Sequence, residues 1–151
     1  MTATLVLRVD VDASVEQTFA GATDWAGQHA WMLGTSVRPG RQGGQGVGGS
    51  IEAFTGLGPF GFLDPMDITV WDPPRRCHVL HTGRVVRGTG AFDVEPRGDG
   101  LSVFVWREDL ELPFGPLGRL GWRLGRPVFA YGVQLSLRRF AHWVEAGRPS
   151  S

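Results

Sequence analysis

Gly90-Ala91-Phe92-Asp93-Val94-Glu95 and Leu101-Ser102-Val103-Phe104-Val105-Trp106 flank the turn Arg97-Gly98-Asp99-Gly100, and a roughly thirty-residue helical pattern follows them to Ala146. Alternation of polar and apolar residues puts successive side chains on opposite faces of a strand, whereas apolar residues three and four apart line one side of a helix. Strands first and one long terminal helix last predict an α+β fold in which an antiparallel sheet keeps its open side for that helix. A curved sheet with a helix laid across it leaves space between the layers, and such a space is where small molecules bind.

Within the terminal helix the apolar stripe is Phe129, Val133, Leu137, Phe140 and Val144, spaced to face one side. Pro113 and Pro116 end the preceding strand, Pro127 kinks the helix or begins a new one, and Gly147-Arg148-Pro149 stops it. Gly132 and Ser136 lie beside the stripe and remove volume there, which allows either close approach of the sheet or room for a ligand. Earlier, Leu117, Leu120, Trp122 and Leu124 alternate with Arg119, Arg123 and Arg126 in the manner of a basic amphipathic surface helix. Gly118, Gly121 and Gly125 weaken that helix by about 1 kcal/mol each relative to alanine, and a pliable cavity entrance is the favoured reading.

Upstream, residues 4–11 alternate with Leu5, Leu7, Val9 and Val11 on one face, a first strand. Ser14 and Gln17 have the spacing of a capping box, so a short helix carrying Val15 and Phe19 follows, ending near Gly21. A second short helix, capped by Thr23 or Asp24, runs through Trp25 to Trp31. Residues 38–50 are dense in glycine and read as a turn or mobile hairpin end between strands. Strands are expected at residues 51–55, 66–71, 77–82, 85–94 and 101–112, with Asp72-Pro73-Pro74-Arg75 as a turn. No helical stretch separates them, which excludes parallel crossovers and predicts an antiparallel meander. Phe60-Gly61-Phe62-Leu63 reads as an apolar loop, either a lid over the cavity or a contact with another subunit, so a homodimer is one expected assembly.

At 151 residues the chain suits one domain, spanning 1–151, with a core that needs no metal or disulfide. Fifteen cations, all arginine, balance fifteen acids, so no overall basic field exists for nucleic acid or an anionic membrane. The lone Cys77, the absence of a leader-like start and the absence of a long apolar run predict a cytoplasmic protein without integral membrane association. The glycines at 43–49 lack the lysine-serine pair and the long helix of a phosphate loop. Neither a cofactor nor a metal is expected. His78 and His81 are three apart, face opposite sides of a strand and cannot share an ion.

The layout resembles the START-like or SRPBCC superfamily, which includes polyketide cyclases and dehydratases and lipid-transfer domains. The resemblance is carried by Val9-Asp10-Val11-Asp12-Ala13-Ser14 with Phe19, by Val70-Trp71-Asp72-Pro73-Pro74-Arg75-Arg76, by Gly98-Asp99-Gly100 leading to Val105-Trp106-Arg107-Glu108, and by Leu112-Pro113 with Ser136-Leu137-Arg138-Arg139-Phe140. It implies a helix-grip fold: about seven antiparallel strands wrapped round the last helix, two short helices after the first strand, and a cavity for a hydrophobic or aromatic molecule, lipid- or polyketide-like. Binding alone is the first expectation, and a cyclase, aromatase or dehydratase using a cavity acid/base is the alternative.

Such chemistry needs a base for an acidic α-proton or an acid to release water. On the last strand Trp106, Glu108 and Leu110 share one face and Val105, Arg107 and Asp109 the other. Both faces have apolar neighbours, and the Glu108 face is favoured as the one that looks inward. Glu108 is then the candidate catalytic group, with Arg107, His29 or Tyr131 orienting substrate. Expected cavity residues from the first half of the chain are Trp25, His29 and Phe54. Phe92, Phe104, Trp106 and Glu108 come from the later strands, and Phe129, Gly132, Val133 and Ser136 from the helix. His81 stands beside the Thr82-Gly83-Arg84 turn and reads as a solvated turn histidine. Cys77 reads as a small core hydrophobe.

Overall fold

The computed structural model describes residues 2–149. Seven strands form one antiparallel sheet: β1 (Thr2–Val11), β2 (Thr35–Pro39), β3 (Ser50–Leu57), β4 (Phe60–Asp72), β5 (Arg76–Thr82), β6 (Arg87–Pro96) and β7 (Ser102–Glu111). Their spatial order is β1-β7-β6-β5-β4-β3-β2. Thus β2 to β7 form a meander, while β1 pairs with β7 in register Leu5↔Glu108 and Val11↔Ser102. Two helices complete the fold, α1 (Val15–Ala22) and α2 (Gly115–Glu145), with a 3₁₀ turn over Trp25–Ala30 between β1 and β2. This is the α+β helix-grip arrangement.

Local chemistry sets the ends of these elements. The Ser14 hydroxyl accepts from the Gln17 amide, and the Gln17 side chain accepts from the Ser14 N–H, so both orphan donors at the start of α1 are satisfied. Asp24 caps the 3₁₀ turn through the Gly27 N–H at 3.2 Å. Pro127 lies inside a continuous α2 and does not split it. Apolar residues 60–63 are not a loop. Gly58-Pro59 form a two-residue connection, and β4 begins at Phe60 paired with Leu57, because Gly58 takes the positive φ that a tight hairpin requires. A bulge between Ile68 and Val70 shifts the parity of β4, so Ile68 and Trp71 both turn inward, and Trp71 meets the edge of Phe19 at 5.6 Å.

Only half of the concave side is filled. The C-terminal half of α2 presses Leu137, Phe140, Ala141 and Val144 into the sheet, all buried. There Trp31, fully enclosed, meets Phe140 at 4.8 Å, Phe104 at 6.3 Å and Phe92 at 6.5 Å. Ring contacts of this kind, mostly edge-on, favour the quadrupoles and close this end of the molecule. Farther toward its N-terminus α2 does not touch bottom. Leu117, Leu120, Leu124, Val128, Tyr131 and Leu135 fall on one stripe of the helix and are exposed, on the side away from the sheet. No helix among the described residues is long and apolar enough to cross a membrane.

Candidate functional site

Beyond the aromatic end, sheet and helix separate around a cavity of about 380 Å³. Strand alternation decides its lining. Ile51, Ala53 and Thr55 project inward from β3, Cys77, Val79 and His81 from β5, and Trp106, Glu108 and Leu110 from β7. Asp64 and Met66 of β4 and Gly90 and Phe92 of β6 complete the floor. Trp25, Gln28 and Met32 close one side, and Phe129, Gly132, Val133 and Ser136 of α2 form the roof.

The wall is mostly apolar, and its ionisable groups form one cluster. His81 accounts for both of its ring nitrogens: Nδ1 lies 2.9 Å from Asp64 Oδ1, and Nε2 lies 3.0 Å from Glu108 Oε2. Trp106 Nε1 donates to Glu108 Oε1 at 2.7 Å. The three side chains are nearly enclosed, at 4% exposure for His81, 12% for Asp64 and 14% for Glu108. Burial alone would pull the imidazole pKa down. The hydrogen bonds from Asp64 and Glu108 and their charges together outweigh it, and the His81 pKa is pushed up to about 9. Burial also lifts the Cys77 thiol to about 12, so it stays protonated and is no nucleophile.

β6 makes this contact possible. His81 sits on β5 and Glu108 on β7, with β6 between them; His81 is opposite Gly88, and Glu108 is opposite Gly90. A Cβ at Gly90 would stand 3.0 Å from Glu108 Oε1 and 3.2 Å from Val79, and one at Gly88, where φ is +122°, would meet the Asp109 carbonyl. The missing side chain at Gly90 thus leaves room for imidazole and carboxylate to meet across an intervening strand, and Gly88 allows close approach of β6 to the β7 backbone.

Several expected residues lie elsewhere. His29 is exposed on the outer side of the 3₁₀ turn with Nδ1 2.9 Å from the Ala26 carbonyl, and its neighbour Gln28 turns inward instead. Phe54 alternates to the face opposite Ala53 and Thr55, where it pairs with Leu63 and covers Gly61. Phe104 points inward but is sealed at the aromatic end and does not reach the cavity. Arg107 is on the outer face, bound to Asp109 at 2.7 Å, and Tyr131 is exposed on the far side of α2, so neither orients anything held inside. His81 is the largest correction, since the expected turn histidine is a buried group of the cavity wall. His78 faces outward and holds Asp93 at 2.8 Å.

A family model described as polyketide cyclase/dehydrase and lipid transport matches residues 2–145. No curated protein sequence matches the chain. Among solved structures, the Zhui aromatase/cyclase from Streptomyces sp. R1128 superposes with a TM-score of 0.76 at 12% identity, covering 99% of this chain and 98% of that one. The Thermus thermophilus protein TTHA0849 gives 0.76 at 18% identity over 97% of this chain and all of that one. The polyketide-cyclase-like protein Cgl2372 from Corynebacterium glutamicum gives 0.68 at 15% identity, over 97% and 94% of the two chains. At these identities the likeness establishes the fold.

Proposed function

The chain belongs to the polyketide cyclase/dehydrase and lipid-transport family, and on that premise we propose that it binds a hydrophobic small molecule in the space between sheet and α2. The observation that carries this reading is the cavity itself: about 380 Å³ of mostly apolar wall beside a tightly packed aromatic core. A chain that had only to be stable would close such a space, because each methylene left unpacked forfeits contacts. Gly132 offers the test, since nothing lies within 4 Å of a Cβ built there, and it borders the cavity. Gly132→Phe is expected to leave the fold intact, and helix propensity improves by roughly 0.5 kcal/mol, while the ring takes the ligand's place. Binding of the neutral dye Nile red, followed by its fluorescence, should be lost. Undiminished binding in this variant would move the site out of the cavity.

The buried His81–Glu108 pair supports a second reading, acid/base catalysis of the cyclase or dehydratase type. Glu108 is the base for an α-proton, and His81 beside it holds the carboxylate in place. A medium-chain β-diketone in deuterated water tests this with NMR detection. The protein should accelerate α-proton exchange, and Glu108→Gln should remove the acceleration while diketone binding persists. Exchange at the solvent rate in the unmodified protein would leave binding alone as the function.

A further inference from the structure

The polar cluster also specifies which end of a ligand it receives. The two contacts from His81 to Asp64 and Glu108 are each of hydrogen-bond length, so they require two protons. A neutral imidazole brings one. Whichever group holds the second, two carboxylates and one imidazole with two protons carry one surplus negative charge, inside a mostly apolar cavity where a lone charge is poorly screened.

The donors on the same wall are already engaged. Both His81 N–H groups and Trp106 Nε1–H point at carboxylates. The Ser136 hydroxyl donates to the Gly132 carbonyl and accepts from the Leu33 N–H, and Thr35 and Thr55 bond each other. Acceptors remain. Asp64 and Glu108 have lone pairs beyond those His81 and Trp106 use. Across the cavity Gln28, a residue 5% exposed, donates from Nε2 to Met32 Sδ at 3.2 Å, and its Oε1 has no partner among the described residues. An unpaired buried acceptor is costly until a donor reaches it.

We propose that the molecule held in this cavity is an apolar compound whose polar end is a hydrogen-bond donor, an amine or a hydroxyl, received by Asp64 and Glu108, and that carboxylate-headed lipids are excluded. This deepens the binding reading above and rests on it. The matched set decylamine, decanol, decanoate and methyl decanoate separates the two, with binding followed through the fluorescence of Trp25 and Trp106 near neutral pH. Decylamine and decanol should bind at least about tenfold more tightly than decanoate, a gap of about 1.4 kcal/mol. Glu108→Gln removes the surplus charge and should bring decylamine and decanoate to near parity, with Asp64→Asn as the second variant if the first does not fold. Decanoate binding as well as the amine, or a preference unchanged in both variants, would overturn the assignment of the polar end while leaving the cavity reading standing. Failure of all four, the uncharged ester included, would overturn both.

Discussion

Replacing His81 by leucine should destabilise the protein by about 3–5 kcal/mol near neutral pH, because it strands two buried carboxylates that now share one cation. The imidazole bridges β4 and β7 through Asp64 and Glu108, and no other cation is paired with either carboxylate among the described residues. The unmodified protein should weaken on the alkaline side. Its imidazole, at about 9 when folded and 6.5 otherwise, contributes stability that is complete below about pH 6.5 and disappears as pH rises through about 9, some 3 kcal/mol in all. His81→Leu should lack that decline. Both proteins should weaken again above about pH 9, where the unfolded chain releases the Cys77 thiol proton and the folded one, at about 12, does not. Urea titrations across pH settle the matter, and a flat alkaline profile in the unmodified protein would mean that the bridge is not formed.

Phe140→Ala should cost a comparable 3–5 kcal/mol for a different reason, a cavity opened where there was none. The ring is fully buried, 4.8 Å from Trp31 and 4.7 Å from Phe104, and it pins the half of α2 that holds the helix to the sheet. Leu124→Ala, on the exposed stripe of the other half, should change stability by no more than about 0.5 kcal/mol. The pair, compared by urea midpoints at equal slope, measures how unevenly α2 is anchored. Equal losses would show that the N-terminal half is also packed.

Periodicity makes most of the fold legible: β1, the Ser14–Gln17 cap, the meander and the stripe Phe129, Val133, Leu137, Phe140 and Val144 all follow from spacing. The site is less so. Cys77, Val79 and His81 alternate onto one face, and that face is apolar, but the nearby Thr82-Gly83 turn suggests solvent. Asp64 precedes Pro65 and reads as the edge of a loop, and a strand begun only at Met66 leaves it outside. Neither His81 nor Asp64 is close in sequence to Glu108, and what joins them is register, which depends on turn lengths that glycine and proline leave open. Gly90 is the available signal, a glycine on the strand between those that carry His81 and Glu108.

Because the His81–Glu108 contact links strands that are not ladder neighbours, it acts on one surface of the sheet only. It ties β5 to β7 over β6 on the concave side, as a stitch gathers cloth, within the wall of the chamber. Uncoupling the two residues should therefore loosen β5 from β7 as well as alter the chemistry.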